Sequence, residues 1–411
     1  MSTPVPSSTQ EPLTYQPLSA FAVVGFAVSV VYAAFVLFAG YFAIRRGDPL
    51  LMPGYWLLLP IAGATLSLLG RSHIRNSEGA RAGMKLTRWG LGLSVCFGVA
   101  YFVYALGTGL AIRQQANSFL MEPGADAGFF AHLKKGGASD DELADAFLLT
   151  LPPSERSGDR LALIDKYTKP DADGNPGQLM RFADHPIVRL FLSGAAEDVR
   201  VEPLGVREWE HEKTGFKVVR YYRISNEEEV AEAVVTVQSQ EGEKGQTRNW
   251  KMSLRDSGVE SKTQKPAGAV LTRLRQESVA FLQNWLNNRG KAGSSFKEID
   301  GVAWDKVVAP RRKVIQEAID GKRYGRFEPK GDTATWRRHE GKLALSIPFK
   351  LDVKDETRGD LIVVFGRATV TSQESVATFH DSLKPTWEMS RITVSFAGKQ
   401  AGKGYASLEA E

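Results

Sequence analysis

Residues 18–44 read LSAFAVVGFAVSVVYAAFVLFAGYFAI, 27 residues without a charge. A helix rises about 1.5 Å per residue, so roughly 20 apolar residues cross a bilayer core of about 30 Å. Two further stretches reach that length: residues 49–70 (PLLMPGYWLLLPIAGATLSLLG) and residues 89–112 (WGLGLSVCFGVAYFVYALGTGLAI). Residues 113–411 hold no comparable run. The chain is expected to be an integral membrane protein, with a polar, disordered tail at 1–17, three transmembrane helices over 18–113, and a large soluble part behind them. The tail has no Lys or Arg and no small-residue cleavage site, so it does not read as a signal peptide.

Charge divides at the same place. Residues 1–113 carry eight basic residues and three acids, leaving 44 of each sign for residues 114–411. The isoelectric point near 9.1 therefore belongs to the membrane part, and the mean hydropathy of −0.22 averages two unlike regions. A nucleic-acid binder places its basic excess on the soluble domain, and none exists here, so no nucleic-acid partner is expected. The single cysteine, Cys96, excludes an intramolecular disulfide and reads as a small apolar residue in a helix interface.

Basic residues beside transmembrane helices favour the cytoplasm. Residues 71–88 (RSHIRNSEGARAGMKLTR) carry five, against Arg45 and Arg46 after the first stretch and Arg113 after the third. This predicts a cytoplasmic N-terminus and an extracytoplasmic C-terminal part, in a cell (inner) membrane. Small residues recur at spacing four, Gly25, Ser29 and Ala33 in the first helix and Gly90, Ser94 and Gly98 in the third. Such faces let helices approach closely. The first expectation is packing of the three helices on each other; self-association through the same faces is the second. No acid or base lies inside any apolar stretch, which favours an anchor over a conduit. The lipid bilayer is the expected partner.

The segment Leu68-Leu69-Gly70-Arg71-Ser72-His73-Ile74-Arg75-Asn76-Ser77-Glu78-Gly79, then Ala82-Gly83-Met84-Lys85-Leu86 and Gly90-Leu91-Gly92, resembles a small bacterial membrane domain of unknown function. That domain combines a hydrophobic helix, a basic G-x-x-x-I-R-x-S-x-G loop and a Gly-rich final helix, and is often fused to unrelated soluble domains. Lys85 stands where its usual pattern has a second glycine-arginine pair. The resemblance covers about residues 18–112 and implies an anchor without an assigned activity.

In the soluble part, residues 126–149 read as helix broken at Gly136-Gly137 and stopped by Pro152-Pro153; residues 160–166 read as a second helix. Residues 216–224, 230–238 and 249–254 are Val-, Tyr- and Trp-rich strands. Helical periodicity returns at 271–288 and 314–319. Residues 343–351 alternate strictly, with Leu343, Leu345, Ile347, Phe349 and Leu351 on one face. Pro348 predicts an edge strand or a bulge there. Residues 361–371 and 387–396 complete the strands. Helix, proline break, helix and antiparallel strands thus occur twice. The reading is a tandem duplication, with domains at 114–267 and 268–401 and a tail at 402–411, each carrying helices on a curved antiparallel sheet in an α+β arrangement. The element order and the late W-x-M strands (Trp250, Met252; Trp387, Met389) resemble the NTF2-like or cystatin-like cone fold.

Chemistry is sparse. Asp171-Ala172-Asp173-Gly174-Asn175 opens like a calcium loop, but Pro176 and Phe182 occupy the positions that need Gly and Glu, so it reads as a polar turn. The six histidines, His73, His132, His185, His211, His339 and His380, lack metal-ligand spacing. Ser294-Ser295-Phe296-Lys297 has the S-x-x-K spacing without its partner motifs. Arg46-Gly47-Asp48 and Arg358-Gly359-Asp360 are chance adhesion look-alikes, and Tyr221, Tyr222 and Trp387 read as sheet core. No catalytic residue, cofactor or metal is assigned. The expected function is a membrane-anchored, non-catalytic binding or assembly protein. The alternative is a tethered NTF2-like cavity enzyme or small-molecule binder, for which a polar pocket with shifted ionisable groups would speak and a concavity filled by Trp, Phe and Leu would speak against. A sensor whose helices transmit dimerisation is a third reading.

Overall fold

The computed structural model describes residues 16–46, 49, 51–78, 80–121, 128–137, 139–169, 176–195, 197–212, 215–240, 249–292, 302–304, 309–321, 324–354, 361–401 and 404–407. The start of the calcium-like loop, the S-x-x-K stretch and both adhesion look-alikes fall wholly or partly outside these residues. The chain divides into two compact units near residue 114.

The first unit is helical: α1 Ala20–Arg46, α2 Leu58–Arg75 and α3 Met84–Met121. All three are long and apolar enough to cross a membrane. Helix α2 starts later than its apolar run because Pro53 is held extended (ψ 144°) and only a single tight turn, Gly54–Leu57, precedes it. It also runs past the apolar stretch, so Arg71 and Arg75 cap its polar end, and Lys85 and Arg88 lie in the first turns of α3. The basic loop of the sequence is thereby reduced to residues 76–83. Helix α3 overshoots its apolar run by nine residues, to about 57 Å.

The small-residue faces are consumed in packing. A Cβ on Gly25 would lie 2.8 Å from the backbone nitrogen of Ser67, and one on Gly90 would lie 3.1 Å from the Phe26 backbone. Ser29 and Ser94 hydroxyls meet at 2.8 Å, both buried. Outward, Val31 and Phe38 are 65% exposed and Ile61 61%. An apolar surface this continuous is what lipid contact requires. Cys96 faces outward as well, correcting its expected place in a helix interface.

The second unit is α+β. Its helical layer comprises α4 Phe129–Gly136, α5 Asp140–Leu148, α6 Pro153–Arg156, α7 Arg160–Thr168, α8 Gln178–Ala183 and α9 Pro186–Leu192. The break between α4 and α5 falls at Gly137, as the Gly-Gly pair predicts. A four-stranded antiparallel meander follows: β1 Arg200–Glu212, β2 Gly215–Ser225, β3 Glu229–Gln240 and β4 Asn249–Gln264. Phe130 of α4 stacks on Phe191 of α9 and meets Tyr222 of β2 edge-on at 5.1 Å, closing the first core.

Next come α10 Pro266–Ala292, β5 Val302–Trp304 and α11 Arg312–Asp320. The second sheet adds β6 Tyr324–Pro329, β7 Thr335–His339, β8 Lys342–Lys354, β9 Leu361–Ser375, β10 Trp387–Ala401 and β11 Gly404–Ser407. Its order is β11-β10-β9-β8-β6, with β7 beside β8, and β5 is parallel to β10. The two sheets are unequal in strand number and connection. Pro348 lies on an inner strand, correcting the edge or bulge expectation: β8 is flanked by β9 along its length, and on its other side Pro348 falls between the start of β7, paired with Ser346, and the end of β6, paired with Phe349. Its carbonyl accepts from Lys330. A proline fits there because one neighbour is locally absent.

Buried charge joins the two sheets. Arg275 of α10 donates both terminal nitrogens to Glu228 (Nη2 to Oε2, 2.7 Å) and Nε to the Ala334 carbonyl; the Trp336 indole donates to the same carboxylate at 3.0 Å. Beside it Arg338 and Glu227 form a bidentate pair. The turn between β2 and β3 is thus pinned to α10 and β7.

Candidate ligand cleft

Strand alternation gives the second sheet two unlike faces. Ile347, Phe349, Ala368, Val370, Ile392 and Val394 face α10 and α11 and pack on Leu282, Leu286, Ile315 and Ile319. The other face is apolar at Val363, Phe365 and Phe396, which pack with Met180, and polar beyond them. Thr335, Ser346, Thr369 and Arg391 are register partners in one row across β7, β8, β9 and β10. Arg337 stands opposite Ala344 on one side of the row, and Arg367 opposite Thr393 on the other.

This face is partly covered. Helices α4, α5, α7, α8 and α9 stand over it and leave a half-open cleft of about 730 Å³, in the range of ligand pockets (about 300–1,000 Å³). Asp140 and Asp141 line the helical wall, with Leu143, Ala144, Ile164 and Met180. Asp141 is engaged by Arg160, which also holds Asp145 at 2.8 Å. Arg337 lies so close to Gly137 that any side chain there would collide with its guanidinium. The α4–α5 break is therefore both a helix stop and a seat for an arginine.

The cleft arginines differ from three others in this unit. Arg156 donates to the carbonyls of Leu149, Leu151 and Trp250; Arg275 and Arg338 have Glu228 and Glu227. Arg337, Arg367 and Arg391 make no hydrogen bond and no ion pair among the described residues. Burial pushes Arg337 down to about 10, with Asp140 opposing the shift and Arg367 adding to it. Burial likewise lowers Arg367, opposed by Asp184 and Asp140. Asp184 is itself pushed up by burial, against the pull of Arg367, Lys330 and Arg189. A buried cation without a contacting acceptor is unfavourable. This floor carries positive charge that the fold leaves under-neutralised.

The residues singled out in the sequence lie elsewhere. His380 pairs with Ser382 (3.0 Å) in an exposed turn; His339 and Glu340 form the exposed β7–β8 turn; His211 stacks on Phe216 at the β1 edge. His132 pairs with Glu142 at 2.7 Å outside the cleft. Tyr222 is fully buried and Trp387 packs on the second core, as the core reading has it. Among the described residues no three His, Cys, Asp or Glu side chains converge as metal ligands. Reading by motif missed Arg337, Arg367 and Arg391, which lie 24 to 30 positions apart on three strands. The available signal was alternation: Arg367, Thr369 and Thr371 interleave with Ala368 and Val370.

Comparison with family models, with curated proteins and with solved structures finds no match. The fold itself defines the class: a membrane-associated helical part joined to an α+β unit.

Proposed function

We propose that this chain is a membrane-anchored, non-catalytic binding protein that holds a ligand in the cleft between its helical layer and its second sheet. The observation that carries the reading is a cleft of about 730 Å³ whose floor presents three arginines without internal acceptors. Cations the fold fails to satisfy are suited to an acceptor from outside. The cleft also favours the small-molecule alternative over assembly alone, because it mixes polar with apolar lining and holds shifted ionisable groups. It does not favour an enzyme: among its described lining residues, no nucleophile and base stand within hydrogen-bond reach of each other.

The basic residues around the α2–α3 turn support a cytoplasmic N-terminus and an extracytoplasmic binding unit. The likeness of residues 18–112 to the small bacterial membrane domain supports an anchor in a bacterial inner membrane. Helices set over one sheet face, with a cavity between, support the cone-like resemblance, and two successive sheets support a duplication. Self-association through Gly25, Ser29, Ala33, Gly90, Ser94 and Gly98 would require the helices to part, so the bilayer is the partner proposed for the first unit.

Native mass spectrometry of the full chain, incubated with the small-molecule fraction of a cell extract, tests the reading. A small-molecule adduct is expected on the wild type and not on Thr369→Trp, whose indole fills the cleft, with circular dichroism unchanged. No adduct on the wild type, or the same adduct on both proteins, would overturn it.

A further inference from the structure

The cleft floor carries more detail than a general positive charge. On β9 and β10, Arg391 stands opposite Thr369, and Thr393 opposite Arg367. Opposite residues in an antiparallel pair lie about 5 Å apart and diagonal ones about 7–8 Å. Two arginines and two threonines therefore alternate at the corners of one small square of the polar face, so that two guanidinium groups and two hydroxyls rise from one patch. Each guanidinium presents five N–H donors, and each hydroxyl can donate one more. A carboxylate offers two oxygens; a phosphate group offers at least three strong acceptors and up to two charges.

Resting on the reading of the cleft as a binding site, we infer that its ligand bears a phosphate group, seated on the square formed by Arg367, Thr369, Arg391 and Thr393. Arg337 stands two strands from Arg367 and four positions further along the strand, on the other side of the row, which suits a second anionic group well separated from the first on the same molecule. The helical wall opposite presents Asp140, exposed and unengaged by Arg160. This wall disfavours anions there and confines the phosphate to the sheet side. Burial of Arg367 among few acceptors adds to the gain when an anion arrives. The same chemistry could come from a soluble phosphorylated molecule or from a lipid headgroup. The cleft volume, of small-molecule size, favours the soluble one.

The test uses the full chain in phosphatidylcholine nanodiscs, titrated calorimetrically with inorganic pyrophosphate. Saturable binding of one pyrophosphate per chain is expected. Arg391→Gln, on the exposed rim, and Arg367→Gln should each weaken it about tenfold or more, since each removes a charge-assisted hydrogen bond. Thr369→Ala should weaken it less. Arg207→Gln, at an exposed ion pair on β1, should leave it unchanged. Absence of pyrophosphate binding, or equal binding by Arg391→Gln and wild type, overturns the inference. Citrate binding that depends on Arg391 and Arg367, without pyrophosphate binding, overturns the phosphate assignment while the cleft stands as a binding site. If neither anion binds and Thr369→Trp loses no adduct, both readings fail. Competition of pyrophosphate by phosphatidic acid placed in the nanodisc would overturn the soluble source in favour of the headgroup.

Discussion

The two faces of the second sheet are built by the same strands from alternating residues, yet they solve opposite problems. One face buries Ile347, Phe349, Ala368 and Ile392 under α10 and α11 and gains stability from every methyl group. The other turns Thr335, Ser346, Arg367 and Thr369 toward a space that the helical layer partly covers and leaves unfilled. The first face holds the fold together. The second carries charge whose burial costs stability, which the proposed ligand would offset. Sites of binding commonly trade stability in this way.

The comparison is sharpest under substitution. On the apolar face, Phe349→Ala is expected to destabilise the second unit by about 4 kcal/mol, through lost burial and the cavity left behind. Chemical denaturation followed by tryptophan fluorescence reads this, and a loss below about 1 kcal/mol would dissolve the distinction between the faces. At the junction of the sheets, Glu228→Gln removes the charge that compensates buried Arg275 and should cost about 3 kcal/mol. The same denaturation curve, with an unchanged m-value, checks it. On the polar face, Arg367→Leu should do the reverse. Loss of a buried, unpaired cation is expected to raise stability by about 1 kcal/mol while abolishing pyrophosphate binding. A fall in stability would mean that Arg367 is structural.

The smallest effect concerns two neighbours, Asp184 and His185. Burial pushes His185 below its ordinary value near 6.5, against the backbone of Leu254 and Ser257. The unfolded chain then binds that proton more tightly, so stability falls as pH drops below about 6.5. Burial pushes Asp184 upward, so there the native state binds the proton more tightly. Its contribution to stability improves as pH falls through the raised value toward 3.8. Melting curves from pH 7 to pH 4 should therefore flatten near pH 6 in His185→Gln, and lose an acid-side gain in Asp184→Asn. Identical profiles for both variants and the wild type would show that neither environment matters.

What could be read in advance follows from how local each signal is. The membrane helices are continuous apolar runs, and α10 and β8 carry clean periods of 3.6 and 2, so they were legible. Strand β1 was not: Arg200, Glu202, Arg207, Glu208, Glu210 and Glu212 make it resemble a loop, and its exposed edge position explains why it needs so few apolar residues. Helices α8 and α9 are too short for periodicity and stand because Phe182, Ile187 and Phe191 reach a core formed from distant segments. The cleft was least legible. A polar strand face looks like a solvent face until the helices over it are known, and equal totals of acids and bases in residues 114–411 conceal three arginines gathered on one floor.

The pinning of the β2–β3 turn by Arg275 and Trp336 also sets an order of events during synthesis. The wall of the cleft is made early, with α5 through α8, and its floor is finished only when β10 has been translated, more than 200 residues later. Contacts so far apart in the chain form late and slowly. Until they form, the arginines of the floor have no helices over them, and the Glu228 carboxylate lacks both its cation and its indole. A chain that stops before β10 would therefore lack the Arg391 and Thr393 side of the cleft floor.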